Sequence, residues 1–141
     1  MNNIIEILSV VSNIIKDIQH FDFFKDESEL IFKIDQSGLQ IGDKKIQAEA
    51  INRSRRLIET TINNIIETKK LNLDECIFRI VCDLDNNEFG RYIKYIMTSE
   101  EGTEQLKSLF NVNKNGNLLS LSMTYHQYDE FKEIINIILG Q

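Results

Sequence analysis

The chain has 141 residues, of which 42% are hydrophobic and 27% are charged, a composition of folded domains rather than disordered chains. Its length suits one domain with a substantial core, and we treat residues 1–141 as a single domain. The formal net charge of −6 repels phosphate backbones, which makes nucleic acid a poor candidate partner for the surface as a whole.

The first segment, Met1–His20, is predicted to form a helix because its apolar residues recur every three or four positions. The stripe consists of Ile4, Leu8, Val11, Ile15 and Ile18. Neighbouring apolar residues widen it, so it suits either burial within the chain or a homodimer interface. Glu6, Lys16 and Asp17 interrupt the segment, which lacks the features of a targeting peptide. No apolar run reaches the length of a membrane span, so we expect a cytoplasmic protein without a membrane partner.

An acidic connector and a β-hairpin are predicted next. The connector contains Asp26, Glu27 and Glu29. Apolar and polar residues alternate over Leu30–Asp35, which indicates a strand, and Ser37-Gly38 turns the chain. Leu39–Ile41 forms the return strand, and Lys44–Gln47 is either a third short strand or the approach to the next helix.

The second helix, predicted over Ala48–Lys70, is a basic element in an acidic chain. Lys44–Lys70 carries a net charge of +4, whereas the segments before and after it each carry −5. Arg53 and Arg56 face away from the isoleucine stripe, but Arg55 lies within it, where a guanidinium must meet a carboxylate or reach solvent. Two interpretations stay open: internal salt bridges, or an anion-binding site for a phosphate or a partner carboxylate.

Cys76–Met97 is predicted to be the central β-hairpin, with Asn86-Asn87 as its two-residue turn. In the register set by this turn, Phe78 faces Tyr95 on an apolar face. Phe78 is therefore expected to lie in the core beneath the helices.

The same register has one weakness, because it sets Arg79 opposite Lys94, a repulsive pair of like charges. It also places Cys76 and Cys82 on one strand, about 20 Å apart at roughly 3.3 Å per residue. A disulfide requires Cα atoms within about 7 Å, so we predict two buried free thiols and a reducing compartment.

The last third of the chain is predicted to contain two helices and a strand. A capping box at Thr98–Glu101 starts a short helix that ends near Phe110. Asn111–Asn117 is predicted as a polar turn, and the clean alternation of Leu118–Tyr125 predicts a strand. A final helix is predicted over Gln127–Leu139.

Together these elements predict an α+β fold rather than a doubly wound sheet, because strands and helices do not alternate regularly. Two β-hairpins and one further strand would form a mixed or antiparallel sheet, packed by about four helices. The predicted order of elements is α-ββ-α-ββ-α-β-α.

No motif in the sequence predicts catalysis, a metal ion or a cofactor. The glycines form no phosphate-binding loop, and the Cys and His residues do not cluster as a zinc site requires. Asp83, Asp85 and Asn87 have the spacing that opens a calcium loop, but Glu88 and Lys94 occupy the positions where Gly and Glu are needed.

We therefore expect a non-catalytic, acidic binding protein that neutralises a cationic protein partner such as a toxin domain. Bacterial immunity proteins and antitoxins act in this way, and a bacterial or phage origin would suit the chain. No stretch matches a motif of such proteins, so the expectation rests on class alone. The carboxylates expected to bind the partner are Asp83, Asp85 and Glu88 at the hairpin tip, with Asp26, Glu27 and Glu29 in the connector.

Two alternatives belong to other functional classes. One is a small acidic chaperone for a secreted effector. The other is a phosphate- or nucleotide-binding enzyme that uses the arginine patch of Arg53, Arg55 and Arg56. His126 with nearby Asp129 could supply its general base, but no nucleophile accompanies them.

Overall fold

Seven strands form one antiparallel sheet, and helices pack against one of its faces. The structure, a computed structural model, describes residues 4–127, 129–130 and 132–133. In this part of the chain the strands are β1 His20–Phe24, β2 Leu30–Asp35, β3 Gly38–Ile41, β4 Lys44–Gln47, β5 Ile77–Asp83, β6 Asn111–Asn115 and β7 Leu118–Thr124. The α-helices are α1 Ile4–Ile14, α2 Arg55–Lys69, α3 Glu88–Ile96 and α4 Glu100–Leu109. The predicted α+β class is confirmed.

The strand order of the sheet is β4-β3-β2-β1-β5-β7-β6, so β1 and β5 are neighbours at its centre. Phe23 of β1 faces Phe78 of β5, with ring centroids 4.7 Å apart. Phe21 packs on the same ring at 5.8 Å. Phe78 is only 1% exposed, so its predicted place in the core is confirmed. Stacked aromatic rings of this kind contribute beyond the area they bury, and here they join the two central strands.

The two faces of the sheet differ in polarity because side chains alternate along each strand. The face toward the helices is apolar and buried, and it includes Phe21, Phe23, Phe32, Ile34, Leu39, Phe78, Ile80, Leu121 and Met123. The opposite face is polar, and it includes His20, Asp22, Lys33, Gln40, Arg79, Ser120 and Ser122. The described helices α1–α4 cover the first of these faces, since their buried residues belong to the same core.

The apolar stripe of α1 is buried within the chain itself. Its inward residues are Ile4, Ile7, Leu8, Val11 and Ile14, all part of the core. Burial in the same chain accounts for the breadth of the stripe, so the stripe gives no support to a homodimer through this helix.

The predicted hairpin over Cys76–Met97 is wrong. Its first half is β5, but the predicted return strand is helix α3. β5 pairs instead with β1 and β7, which are distant in the sequence. Asn87 lies at the N-cap position of α3 rather than in a hairpin turn, and its Oδ1 accepts a hydrogen bond from the Asp83 N–H at 2.8 Å. Asn favours helix starts as well as turns, so the Asn-Asn pair alone does not distinguish the two.

The order of elements also differs from the predicted one, because the sequence pattern conceals two strands. The sequence predicts a helix as far as His20 and no strand after it, because β1 has four of five residues buried and so lacks the alternation of a one-sided strand. β6, predicted as a turn, is an edge strand of mostly exposed polar residues. Lys44–Gln47, which the sequence allows either as a third short strand or as the approach to the next helix, is strand β4.

Helix boundaries follow the local hydrogen bonding. Ala48–Ser54 forms two 3-10 turns, and α2 begins after them. α4 begins after Ser99, whose Oγ accepts a hydrogen bond from the Gly102 N–H at 2.9 Å, so the cap lies one residue later than Thr98. The predicted helix Gln127–Leu139 lies largely outside the described residues. Within those residues, none of the helices combines the length and the apolar character that crossing a membrane requires.

Candidate functional site

The structure places the two predicted groups of carboxylates at opposite ends of the sheet. Asp83 ends β5, whereas Asp26–Glu29 follows the end of β1. Phe24 at that end of β1 pairs with Ile77 at the start of β5. The length of β5 therefore separates the two groups by about 20 Å, at roughly 3.3 Å per residue. They do not form one acidic surface.

The carboxylates of the Asp26–Glu29 connector are engaged within the chain. Asp26 Oδ1 accepts hydrogen bonds from the Ser28 hydroxyl at 2.6 Å and the Ser28 N–H at 2.9 Å, which lower the pKa of Asp26. Glu29 lies 2.9 Å from Lys69 Nζ, and Glu27 lies 3.6 Å from Arg79 Nη1. These contacts hold the connector against the sheet and α2, which accounts for its charges without a partner.

At the other end, Asp83 organises the junction between β5 and α3. Its Oδ1 accepts hydrogen bonds from the N–H groups of Asp85 and Asn86 at 2.9 and 3.2 Å, and its Oδ2 accepts one from Asn86 Nδ2 at 2.8 Å. The Asn86 side chain and these N–H groups lower the pKa of Asp83. Asp83 therefore acts as the cap of a tight turn and directs the chain into the helix.

Gly90 lets α3 approach the end of β5 closely. A Cβ atom at this position would collide with the Asp83 carbonyl oxygen, so a larger residue would push the helix away from the strand. Phe89 and Ile93 are buried against the core on the same side of the helix. The opposite side of α3 is thereby fixed toward solvent.

The solvent side of α3 exposes Glu88, Arg91 and Tyr95, which we call the α3 face. These residues lie three and four positions apart and so line one side of the helix. Tyr95 is 75% exposed, an unusual position for a large aromatic side chain. Beside this face, Lys94 Nζ forms an ion pair with Asp85 Oδ1 at 2.8 Å.

Sequence reasoning placed Glu88 in this region but missed Tyr95. In the predicted hairpin, Tyr95 lies in the core opposite Phe78. The signal that reveals the helix is the spacing of Phe89, Ile93 and Met97, which fits the helical period. With that spacing, Tyr95 falls on the outer side.

The three arginines of the predicted anion site are all exposed near the start of α2. Arg55 donates a hydrogen bond to the Ser9 hydroxyl of α1, so it neither meets a carboxylate nor lies buried in the apolar stripe. Among the described residues, no ion pair involves Arg53, Arg55 or Arg56. Internal salt bridges, one of the two interpretations that the sequence leaves open for these arginines, are thus not found among the described residues.

His126 does not join the arginines. It follows Thr124, which pairs with Ile77 at one end of β5, whereas α2 begins beyond Gln47 at the other end of the sheet. A ring nitrogen of His126 lies 3.3 Å from Thr124 Oγ1. No carboxylate is hydrogen-bonded to this ring in the part of the chain that the structure describes. The arrangement does not build a catalytic base beside an anion site.

The polar face of the sheet contains a structural ion pair. Arg79 donates to both carboxylate oxygens of the buried Asp22 across the β1–β5 pair, from Nε at 3.1 Å and from Nη2 at 2.6 Å. Its guanidinium also lies 4.6 Å from the Phe24 ring centroid. The hydrogen bonds with Asp22 raise the pKa of Arg79. Both partners satisfy each other, so the pair holds the two central strands in register.

The recess beside α4 offers little chemistry, and the described residues contain no metal-binding cluster. A recess of about 400 Å³ between the end of α4 and strands β6 and β7 has Lys107 as the single titratable side chain in its lining. Over residues 4–127, 129–130 and 132–133, no group of three or more His, Cys, Asp or Glu residues is placed to hold a metal ion. The α3 face, with its exposed aromatic ring, is the best candidate site.

Comparisons with known proteins identify no relative: no family model, curated protein or solved structure matches the chain.

Proposed function

We propose that the chain is a non-catalytic binding protein that neutralises a cationic protein partner, such as a toxin domain, through the α3 face. The observation that carries this proposal is the 75% exposure of Tyr95 on the helix that follows the acidic junction. Tyrosine and arginine are enriched among the residues that dominate the energy of protein interfaces. Tyr95 and Arg91 supply such groups on one side of a helix.

Charge supports a basic partner. Glu88 is exposed and forms no ion pair in the described part of the chain, so it can receive an arginine or lysine of the partner. Asp85 is bound to Lys94 at the surface, where ion pairs are weak enough for a partner cation to exchange into them. The net charge of −6 would accelerate encounter with a cationic protein.

The other predicted carboxylates have a different place in this proposal. Asp83 positions the helix, and the Asp26–Glu29 connector stabilises the fold at the far end of the sheet. The two buried thiols, Cys76 and Cys82, suit a reducing compartment such as the bacterial cytoplasm.

Affinity capture with matched variants tests the proposal. The immobilised chain is exposed at low salt to an extract of the cells that produce it, and bound proteins are eluted with rising salt. We expect a basic protein to elute, and Tyr95→Ala and Glu88→Lys each to weaken its retention by about tenfold.

Glu104→Lys is the control, since it makes the same charge change at an exposed position on α4. It should retain the basic protein at close to the wild-type salt concentration. If Glu88→Lys and Glu104→Lys weaken retention of the basic protein equally, net charge and not the α3 face explains the weaker retention. Unchanged retention in Tyr95→Ala would remove the α3 face from the interface.

A further inference from the structure

The outer side of α2 near its start is a second exposed surface, opposite in charge to the rest of the chain. We call it the α2 patch and define it as Arg53, Arg56 and Leu57. Arg53 lies in the 3-10 turn just before α2, and Arg56 and Leu57 lie in the first turn of α2, so the three exposed side chains gather where the helix begins. Leu57 is 51% exposed.

The arginines of this patch form no ion pairs within the described fold. Neither Arg53 nor Arg56 forms an ion pair there, although Glu49 and Glu59 are nearby in the sequence. The first turn of α2 holds no acidic residue, and positive side chains at a helix N-terminus oppose the helix dipole. The arginines are thus placed where they do not help α2 to form.

The surroundings of the patch favour a macromolecule over a small ion. The small cavity that reaches Arg55 has a volume of only about 10 Å³, and neither Arg53 nor Arg56 lines it. A free phosphate would therefore meet an open surface without an enclosing pocket. The exposed Leu57, next to Arg56 in the chain, adds an apolar contact that a phosphate cannot use.

Charge complementarity selects the type of macromolecule. Nucleic acid requires a broad basic surface, whereas this patch is small and the chain as a whole is acidic. We propose that the α2 patch binds an acidic protein segment that carries carboxylates next to an apolar side chain. The arginines would receive the carboxylates, and Leu57 would pack against the apolar group. The proposal is independent of the function assigned to the α3 face.

Amide chemical shifts of the full chain test this surface directly. The probe is a short peptide that repeats Glu-Glu-Leu, added at an ionic strength of about 0.15 M. We expect the largest shifts at residues 53–57, and a loss of affinity of about tenfold in Arg53→Glu/Arg56→Glu. Leu57→Ser should weaken the Glu-Glu-Leu peptide but leave the affinity for poly-glutamate unchanged.

Lys107→Glu/Lys114→Glu is the matched control, because it reverses two exposed charges on other elements. It should bind the peptide as the wild type does. Equal weakening in this control, or no shifts at the patch, would overturn the proposal. So would equally strong shifts with inorganic phosphate or a single-stranded oligonucleotide. Salt-sensitive dimers in sedimentation, abolished in Arg53→Glu/Arg56→Glu, would make a second copy of the chain the occupant and overturn it too.

Discussion

His20 stands on the polar face of the sheet, half-buried among charged residues at the start of β1. Burial is the main reason that its pKa lies below the usual value. Asp22 and Asp35 favour the protonated ring, whereas Lys33 and Arg79 oppose it, and burial decides the balance. The folded chain therefore prefers neutral His20.

This preference predicts a loss of stability in mild acid. Above the ordinary histidine pKa of about 6.5, the ring is neutral in both the folded and the unfolded chain, so the free energy of unfolding keeps its full value. As the pH falls below that value, the unfolded chain binds a proton that the folded chain resists, so stability declines. His20→Gln should flatten this part of the profile, measured as urea midpoints across a pH series. An unchanged slope in His20→Gln would contradict the account.

The element that follows β5 shows where local patterns reach their limit. Residues 88–97 satisfy both a strand alternation and a helical period, and the Asn-Asn pair suits either a turn or a helix start. The one feature of the sequence that argues against the hairpin is the repulsion between Arg79 and Lys94 in its register. In the structure Arg79 faces Asp22, so the conflict disappears. The site residue Tyr95 was missed for the same reason, while Glu88 was exposed under either interpretation.

Two aromatic substitutions distinguish the helix from the hairpin energetically. Phe78→Ala should cost about 3–5 kcal/mol, because it opens a cavity in the aromatic cluster between β1 and β5. Tyr95→Ala should change stability by less than about 0.5 kcal/mol, because Tyr95 is 75% exposed. In the hairpin these residues would face each other and both substitutions would be severe. Urea unfolding of the two variants measures the difference, and similar losses would contradict the position of α3.

At the scale of the whole molecule, the sequence predicts the class and the polarity of the fold better than its topology. The alternation in β2, β3 and β7 identifies those strands and their inward faces. The central pairing of β1 with β5 joins residues that are 57 positions apart, such as Asp22 and Arg79. Local periodicity carries no information about such a pairing, which depends on long-range packing and on the ion pair.

The sheet ends in two edge strands among the described residues, β4 and β6. β4 carries the exposed Lys44 and Lys45, and charged edge residues discourage pairing with another chain. We expect Lys44→Val/Lys45→Val to associate as concentration rises, as seen in sedimentation velocity. Lys16→Val/Lys107→Val removes the same charge from helix surfaces and should remain like the wild type. Equal association in both variants would point to net charge rather than to the edge.

The rates at which the two buried cysteines react with a thiol reagent report how the chain opens. Burial raises the pKa of Cys76 to about 11 and that of Cys82 to about 12, and neither thiol is accessible in the folded state. A thiol reagent needs both access and thiolate, so it must wait until the chain opens. Cys82 lies within the interior strand β5 and Cys76 just before it. The interval between their modification times therefore separates fraying at the start of that strand from unfolding of the whole sheet, with no label added to the chain.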